Sequence, residues 1–358
     1  TGRVPSGELK LHLPLRQGGS DVEPRLQLDL EIEEGRLSFD PQWPAIESLD
    51  GRLRAGIGTL EAEVRHAESL GVQGRDGRVT IEDEVLRVTG ALAADGQALH
   101  RYLLALPVDG MEQVENWRAE GSVSGEIELA TQLGEEDDFQ LDLDTQVDME
   151  RLVYLPLGIP VENVQGPLAW RQRNDEGGLE GQLEARLFGG PLNADLDTLA
   201  GHVDFDGSAE IESVLQRFDV GHLGASVSGH LPWRGRFSLG EVGNTFRFDS
   251  SMEGVAIDLP EPLGKAAGEA RTLWASADLD QQRVEAEMGG EARLRWRGLP
   301  WSSHGQGQFW LGRLPDAPAW PEQEGWSGTL HLPRLDLVAW GEALSPLLAE
   351  EASGDSSP

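Results

Sequence analysis

The sequence predicts a mainly β protein, built on an antiparallel sheet with a few short helices. Three observations carry this prediction. Apolar and polar residues alternate with a period of two, turn-forming residues recur at short intervals, and helical spacing is confined to three short segments. The 45 glycines and 20 prolines among the 358 residues also suit many short strands joined by turns.

The period-two alternation marks the strands. In the first clear example Leu26, Leu28 and Leu30 alternate with Gln27 and Asp29. Each such strand has one apolar face and one charged face, as strands of a half-covered antiparallel sheet do. The segments with this pattern are residues 26–32, 139–144, 183–187, 255–259, 273–279 and 284–288.

Turn-forming residues separate these segments. They are Glu34-Gly35, Asp50-Gly51, Asp76-Gly77, residues 175–178 and Gly189-Gly190-Pro191. Such short connections suit hairpins, because a crossover between parallel strands needs about a dozen residues or more. The sequence therefore favours antiparallel pairing.

Helical spacing occurs in three places. Residues 99–106 follow Asp95, residues 211–218 follow Ser208, and residues 337–348 follow Asp336. Asp and Ser are preferred N-cap residues, so each of these three is predicted to begin a short helix. Three short helices cannot cover the apolar faces of so many strands.

The charge of the chain excludes several classes of partner. Its 63 acidic residues outnumber its 29 lysines and arginines, which leaves a formal net charge of −34. Nucleic acids and anionic bilayer surfaces attract basic proteins, so we expect no nucleic-acid partner. No stretch approaches the ~18 apolar residues that a membrane-spanning helix needs. The chain has no cysteine, which excludes disulfides and thiol chemistry.

The sequence carries no catalytic or metal-binding pattern. Its eight histidines are scattered without the short spacings of zinc ligands. It has no phosphate-binding loop with Gly-Lys-Ser/Thr, no nucleophile elbow and no dinucleotide fingerprint. We therefore expect no catalytic residues, no metal and no cofactor, and hence a protein that is not an enzyme.

The apolar strand faces raise the question of what covers them. Two sheets packed about 10 Å apart would form a β-sandwich, which the pattern alone favours because exposed apolar patches are uncommon. The alternative is a trough whose inner face stays apolar and accepts lipid chains.

Residues 250–268 resemble a known family signature. The segment Leu259-Pro260-Glu261-Pro262-Leu263-Gly264-Lys265 is similar to the Leu-Pro-x-Pro-Leu-Gly-Lys motif of the AsmA-like superfamily, specifically its YhdP-like proteins, which are relatives of TamB. Glu261 stands where a small residue is expected. Softer matches extend the resemblance over most of residues 24–348.

The resemblance implies an elongated antiparallel β-sheet curled into an apolar groove. It implies that residues 1–349 are a periplasmic β-groove segment. Weak internal similarity between residues 43–53 and 159–168 suggests sub-repeats about 24–158 and 159–349. The tail at 350–358 is predicted from the sequence to be disordered. By the same resemblance, the partners of the β-groove segment would be phospholipid acyl chains and an inner-membrane anchor in an N-terminal part outside this sequence. The family is implicated in phospholipid transport between the inner and outer membranes and in the barrier of the outer membrane. The alternative is a structural β-sandwich scaffold or interaction module for envelope assembly that carries no lipid.

If the groove exists, the apolar residues that alternate along each strand line it. Within the family motif, Pro260 and Pro262 are expected to end the preceding strand, and Gly264 permits a positive φ. Lys265 is expected to cap carbonyl groups or to meet a lipid phosphate. The candidate lining residues are Leu28, Leu30, Leu141, Leu143, Leu183, Leu187, Phe246, Phe248, Val255 and Ile257.

Overall fold

The computed structural model describes residues 1–13, 25–39, 41–107, 111–134, 138–155, 158–217, 226–239, 244–298, 305–316, 318–321 and 323–343. Within these residues the chain is mainly β, with twenty strands and a few short helices. Contacts divide it into two units, Thr1–Leu183 and Glu184–Pro358, which are described separately. The predicted fold class, a mainly antiparallel β-sheet with a few short helices, is confirmed.

The first unit is a meander in which each strand pairs antiparallel with the next. Hairpins join most of the strands, as the short connections predicted. The strands are β1 (Gly7–His12), β2 (Arg25–Leu37), β3 (Ile46–Ala55), β4 (Leu60–Ser69), β5 (Val72–Glu82), β6 (Val85–Asp95), β7 (Trp117–Gln132), β8 (Phe139–Tyr154) and β9 (Ile159–Arg173). The next strand, β10 (Glu176–Leu187), pairs with β9 and contains the division between the units.

Three of the predicted turns are wrong and are β-bulges inside continuous strands. Glu34 lies within β2 and Asp76 within β5, each with a φ near 50°, and the ladder between β3 and β4 shifts register between Asp50 and Gly51. An extra residue in one strand needs the same Asp and Gly conformations that a turn needs, so the local signals coincide. The turns near residue 175 and at Gly189 are confirmed.

Helix α1 (Gly96–Leu104) interrupts the first meander between β6 and β7. Asp95 caps it as predicted, because its side chain accepts a hydrogen bond from the Ala98 backbone N–H at 2.7 Å. Ala98 is buried, and a Cβ added to Gly71 would touch it. The helix therefore packs at the end of the strands, near the turn between β4 and β5. A 3₁₀ segment, Met111–Asn116, follows it.

The second unit has its own ladder. The strands are β11 (Gly190–Asp197), β12 (His202–Glu210), β13 (Val227–Ser238), β14 (Thr245–Ser250), β15 (Val255–Ile257), β16 (Leu273–Asp278), β17 (Arg283–Met288), β18 (Ala292–Arg297), β19 (Gln306–Gly312) and β20 (Gly325–His331). From β11 to β19 they pair antiparallel in sequence order, except that β14 pairs directly with β16 while β15 pairs with the start of β13.

The final pair, β19 and β20, departs from the predicted antiparallel pattern because it is parallel. Parallel strands need a crossover, and the connection runs past the charged side of β18. There the guanidinium groups of Arg293 and Arg295 donate hydrogen bonds to the carbonyls of Pro315 at 2.8 Å and Pro318 at 2.6 Å. The ring of Trp320 lies 4.2 Å from the Arg295 guanidinium carbon. These contacts hold the crossover against the sheet.

Helix α2 (Ile211–Arg217) begins directly after β12 and closes the main buried cluster of the second unit. Ile211, Met252, Val255 and Ile257 are all buried there, with Leu215 of the same helix packed against them. The predicted N-cap, Ser208, is wrong, because that residue still lies inside β12.

A third helix, α3, occupies residues 337–343. Asp336 caps it as predicted, accepting hydrogen bonds from the backbone N–H groups of Val338 and Ala339 at 3.1 Å each. The Trp340 indole N–H donates to the Glu261 carbonyl at 3.4 Å, which brings the helix against the family motif. The remainder of the predicted helix, and the tail at 350–358, lie outside the described residues.

Candidate functional site

One face of the first unit is apolar from strand to strand. Residues opposite each other in a ladder point to the same side of the sheet. Leu28 lies opposite Leu9 and Ala55. The cross-strand partners in each following ladder identify the residues on the same side of the sheet as far as β9. We call it the first apolar face: Leu9, Leu28, Leu30, Leu53, Ala55, Leu60, Ala62, Val79, Ile81, Leu86, Val88, Ile127, Leu129, Leu141, Leu143 and Trp170.

Charged side chains of these strands lie on the opposite face, where they pair with each other. Arg52 donates two hydrogen bonds to Asp29, at 2.8 and 2.6 Å, and Arg173 donates two to Asp142, each 2.9 Å. The Arg52 hydrogen bond holds the pKa of Asp29 below its usual value, and the Arg173 hydrogen bond does the same for Asp142. The two sides of the sheet therefore differ sharply in chemistry.

The first apolar face is only partly covered. Leu28, Leu30, Leu141 and Leu143 are all half-buried. Buried apolar side chains among the described residues of this unit are confined to Ala98, Val147, Met149 and Val164. Two sheets packed face to face would bury most of the inner side chains. The described part of the unit therefore lacks the second layer that the sandwich alternative requires.

Glycines bring neighbouring strands close together on this same side. A Cβ added to Gly51, Gly125 or Gly166 would lie less than 3.0 Å from a carbonyl oxygen of the next strand. Real Cβ atoms do not approach backbone that closely, so only glycine permits the spacing. Glycines at such positions permit a sheet to bend.

The second unit repeats the arrangement with aromatic residues. Phe246 lies opposite Phe237 and Ala277, and Phe248 lies opposite Ala275. We call this side the second apolar face: Ala194, Val203, Phe205, Gly235, Phe237, Phe246, Phe248, Ala275, Ala277, Val284, Ala286, Leu294, Trp296, Gly307, Phe309, Trp326 and Gly328. No residue of this set is charged. Most of its side chains are half-buried, and Phe309 and Trp326 are exposed.

The ten candidate lining residues fall into three groups. Leu28, Leu30, Leu141, Leu143, Phe246 and Phe248 lie on the two apolar faces, while Leu183 and Leu187 are half-buried in β10. Val255 and Ile257 differ, because they are buried in the cluster that α2 closes, with exposed fractions of 0% and 9%. The residues outside this cluster, including Leu183 and Leu187, keep partly exposed surface that a ligand could reach.

The family motif forms a compact loop after β15. Pro260 follows the strand, which ends at Ile257, and Arg271 donates hydrogen bonds to the carbonyls of Pro262, Leu263 and Gly264 at 2.9 to 3.2 Å. The Glu261–Pro262 peptide bond is cis.

Gly264 and Lys265 serve packing within this loop. Gly264 does not use the positive φ that glycine permits; glycine is needed there because a Cβ would lie less than 3.0 Å from the Leu259 carbonyl oxygen. Lys265 is 5% exposed and donates to the carbonyls of Val255 at 2.7 Å and Ala266 at 3.0 Å. Burial lowers the pKa of its amine. Of the two expected roles, the structure shows the carbonyl cap.

Sequence reasoning missed Arg271 and, beyond Phe246 and Phe248, the aromatic residues of the second apolar face. Arg271 lies six residues beyond Lys265, and no spacing rule connects an arginine to carbonyls of a preceding loop. The aromatic residues were recognisable as strand residues, but their assembly on one side depends on which strands pair.

No three His, Asp or Glu side chains among the described residues gather closely enough to hold a metal ion. None of the helices in the described part of the chain is both long and apolar enough to cross a bilayer.

Comparison with known proteins identifies relatives. A family model described as "YhdP protein" matches residues 1–358. The chain is 22% identical over 355 residues to the "Intermembrane phospholipid transporter YhdP" of Escherichia coli (strain K12). That alignment covers 94% of this chain but only 27% of the relative's length. No solved structure matches the chain.

Proposed function

The chain belongs to the YhdP protein family, and from that premise we propose that its two apolar faces hold phospholipid acyl chains during lipid transport. The resemblance inferred from the Pro260–Lys265 motif is thereby confirmed. The relative in Escherichia coli is described as an intermembrane phospholipid transporter. Because this chain spans 27% of that protein's length, we propose that it contributes part of a longer lipid path.

The observation that carries the proposal is a broad uncharged face in the described residues of each unit, whose side chains are mostly only half-buried. Apolar surface in water costs roughly 25 cal/mol per Å², so an occupant that removes it from water is favoured. An acyl chain suits such a face because its methylene groups need no hydrogen-bond partner. A charged headgroup would find no partner on either apolar face and would remain in water.

The mechanism is partition along the sheet and needs no covalent step. Each methylene that moves from water to an apolar face contributes about 0.8 kcal/mol. Neighbouring strands offer similar surfaces, so a chain can shift between them at small cost. We propose on this basis that the protein is not an enzyme, and that it acts in the periplasm as part of a protein anchored in the inner membrane. Its role in the barrier of the outer membrane is part of the same proposal.

A charge placed on the first apolar face tests the proposal. Leu143 lies between Ile127 and Trp170 in the ladder. We expect Leu143→Glu to abolish the capture of phospholipid from vesicles of phosphatidylethanolamine and phosphatidylglycerol, as measured by mass spectrometry of the reisolated protein. Gln140→Glu is the matched control, because it adds the same charge to the exposed, opposite side of β8, facing Arg173.

The result also decides between the two readings of the apolar faces. Circular dichroism and melting must first show that both variants fold. Equal capture by folded Leu143→Glu and Gln140→Glu would contradict the proposal. A wild-type chain that takes up no phospholipid would favour the scaffold without lipid.

A further inference from the structure

Several rings on the second apolar face lie directly above glycines. A Cβ added to Gly307 would lie less than 3.0 Å from three atoms of the Trp326 ring. A Cβ added to Gly328 would meet three atoms of the Phe309 ring in the same way. The pattern recurs at Gly305, two residues before Gly307, where the added atom would meet three atoms of the Trp296 ring.

The rings present their faces to these glycines. An atom approaching the edge of a ring would be close to one ring atom and clearly farther from its neighbours. Here three atoms of one ring are all within 3.0 Å, which places the added atom above the ring plane. Trp296 and Trp326 reach toward each other across β19, with ring centroids 5.1 Å apart and planes 26° from parallel.

A ring in this position lies closer to the sheet backbone than an ordinary strand side chain, so the apolar surface above the sheet is lower there. Side chains of strands ordinarily stand roughly perpendicular to the sheet. Above a glycine the ring can instead lie along the backbone, with its other side turned to solvent. Trp326 is 57% exposed and Phe309 is 40% exposed, so both offer contact area at this depth.

We propose that Gly305, Gly307 and Gly328 set the depth of the second apolar face, and that the rings above them form a flat contact surface for the acyl chain of a phospholipid. This rests on the proposed function and adds residues that determine how a chain fits. The occupant is uncharged hydrocarbon because no residue of the second apolar face is charged. Flat rings give a methylene chain continuous contact, whereas raised rings would interrupt it.

The test measures contact between acyl chains and the second unit directly. Vesicles of phosphatidylethanolamine and phosphatidylglycerol carry a trace of phosphatidylcholine with a diazirine near the end of one acyl chain. After irradiation with the 358-residue chain, mass spectrometry locates the labelled peptides. We expect wild-type protein to be labelled in peptides from both units.

Adding a methyl group beneath a ring should reduce labelling in the second unit alone. For Gly307→Ala and Gly328→Ala we expect a loss of about fourfold for each methylene contact that the raised ring removes. Labelling in the first unit should not change. Gly268→Ala is the matched control, since an added Cβ there meets nothing within 4 Å.

Variants that lack the aromatic ring show whether the added methyl group acts by raising that ring or by destabilising the protein. In the double variant Gly307→Ala/Trp326→Ala the methyl has no ring to raise, so its labelling should equal that of Trp326→Ala alone. The pair Gly328→Ala/Phe309→Ala offers the same comparison at an exposed glycine, where folding is less at risk. Circular dichroism confirms the fold of each variant.

The outcomes distinguish this inference from the proposed function. No labelling of either unit in wild-type protein would overturn the proposed function itself. Wild-type labelling that persists in folded Gly307→Ala and Gly328→Ala would overturn only the inference about depth. The inference about depth would also be overturned if Gly→Ala reduced labelling equally in the presence and the absence of the aromatic ring. The methyl group would then not act by raising that ring.

Discussion

The Nζ of Lys265 donates a hydrogen bond to the backbone carbonyl of Val255 at 2.7 Å, inside the cluster that α2 closes. Val255 is fully buried and Lys265 is 5% exposed, so this amine lies almost out of reach of water. A buried amine is costly unless its donors are used. The family motif thus ends on a residue that ties its own loop to the core of the second unit.

Replacing Lys265 should destabilise the protein. Lys265→Met keeps much of the side-chain volume but leaves the Val255 and Ala266 carbonyls without this donor. An unsatisfied buried acceptor costs about 1–3 kcal/mol, so we expect a loss of that order in chemical unfolding. Lys10→Met is the control, because Lys10 is the other lysine of the chain and is exposed, where substitutions usually change stability by less than about 0.5 kcal/mol. Equal effects of the two substitutions would contradict the structural role of Lys265.

The contribution of Lys265 should depend on pH. Burial lowers the pKa of the folded-state amine below its ordinary value of 10.5. Between the lowered pKa and 10.5 the unfolded chain binds more protons than the folded one, so the free energy of unfolding gains a term that rises with pH. We expect the difference in unfolding free energy between wild type and Lys265→Met to grow as pH rises toward 10.5. Taking this difference cancels the titration of other groups, including Tyr102, whose pKa burial raises. A difference that shrinks would contradict the assignment.

Truncation should separate core residues from residues of the apolar faces. Ile257 is buried with Met252 and Val255, whereas Leu143 is half-buried on the first apolar face. Ile257→Ala should cost about 2–5 kcal/mol, the usual range for a buried aliphatic residue. Leu143→Ala should cost clearly less, because part of that side chain is exposed in the folded state as well. Thermal melting of the two variants in parallel measures this, and the opposite order would contradict the distinction.

The glycine kinks of the first unit should not tolerate a methyl group. A Cβ on Gly125 would lie less than 3.0 Å from the Asp144 carbonyl oxygen, which is backbone and cannot rotate away. We expect Gly125→Ala to cost about 1–3 kcal/mol, as overpacked sites do. Gly268→Ala, which has open space around it, should melt close to wild type. A Gly125→Ala variant as stable as Gly268→Ala would show that the strands can separate there at little cost.

The cap of α1 should matter through its acceptor oxygen. Asp95→Ala removes the acceptor for the Ala98 N–H, and we expect a loss of about 0.5–2 kcal/mol in urea unfolding. Asp95→Asn retains a side-chain oxygen and should restore most of that stability. If Asn and Ala are equally destabilising, the negative charge rather than the hydrogen bond stabilises the helix.

Much of the fold could be predicted from local patterns. The alternation at residues 26–32 and 139–144 identifies strands of β2 and β8, and the helices after Asp95 and Asp336 begin where their caps predict. Predictions from local residue patterns failed where two backbone structures, a turn and a β-bulge, favour the same residues. Asp76-Gly77 suits both a turn and a bulge, and only the continuing ladder between β5 and its neighbours makes it a bulge.

The candidate site was predicted less completely. The alternation that marks Leu141 and Leu143 also marks Val255 and Ile257, because a strand turns one side inward whatever covers that side. Whether α2 covers a strand depends on contacts between residues distant in the chain, such as Ile211 and Met252. The glycines beneath Phe309 and Trp326 were unpredictable for the same reason, since pairing of β19 with β20 brings ring and glycine together.

Local sequence patterns establish that the chain forms strands with one uncharged side, since a period-two alternation and the exclusion of charge from one side can be read within a short segment. Its Pro260–Lys265 motif also identified the family. Which uncharged sides remain accessible, and which rings lie above glycines, depends on the tertiary structure. Burial and ring orientation depend on strand register and on close approach between separate segments, and neither is written into any single stretch of residues.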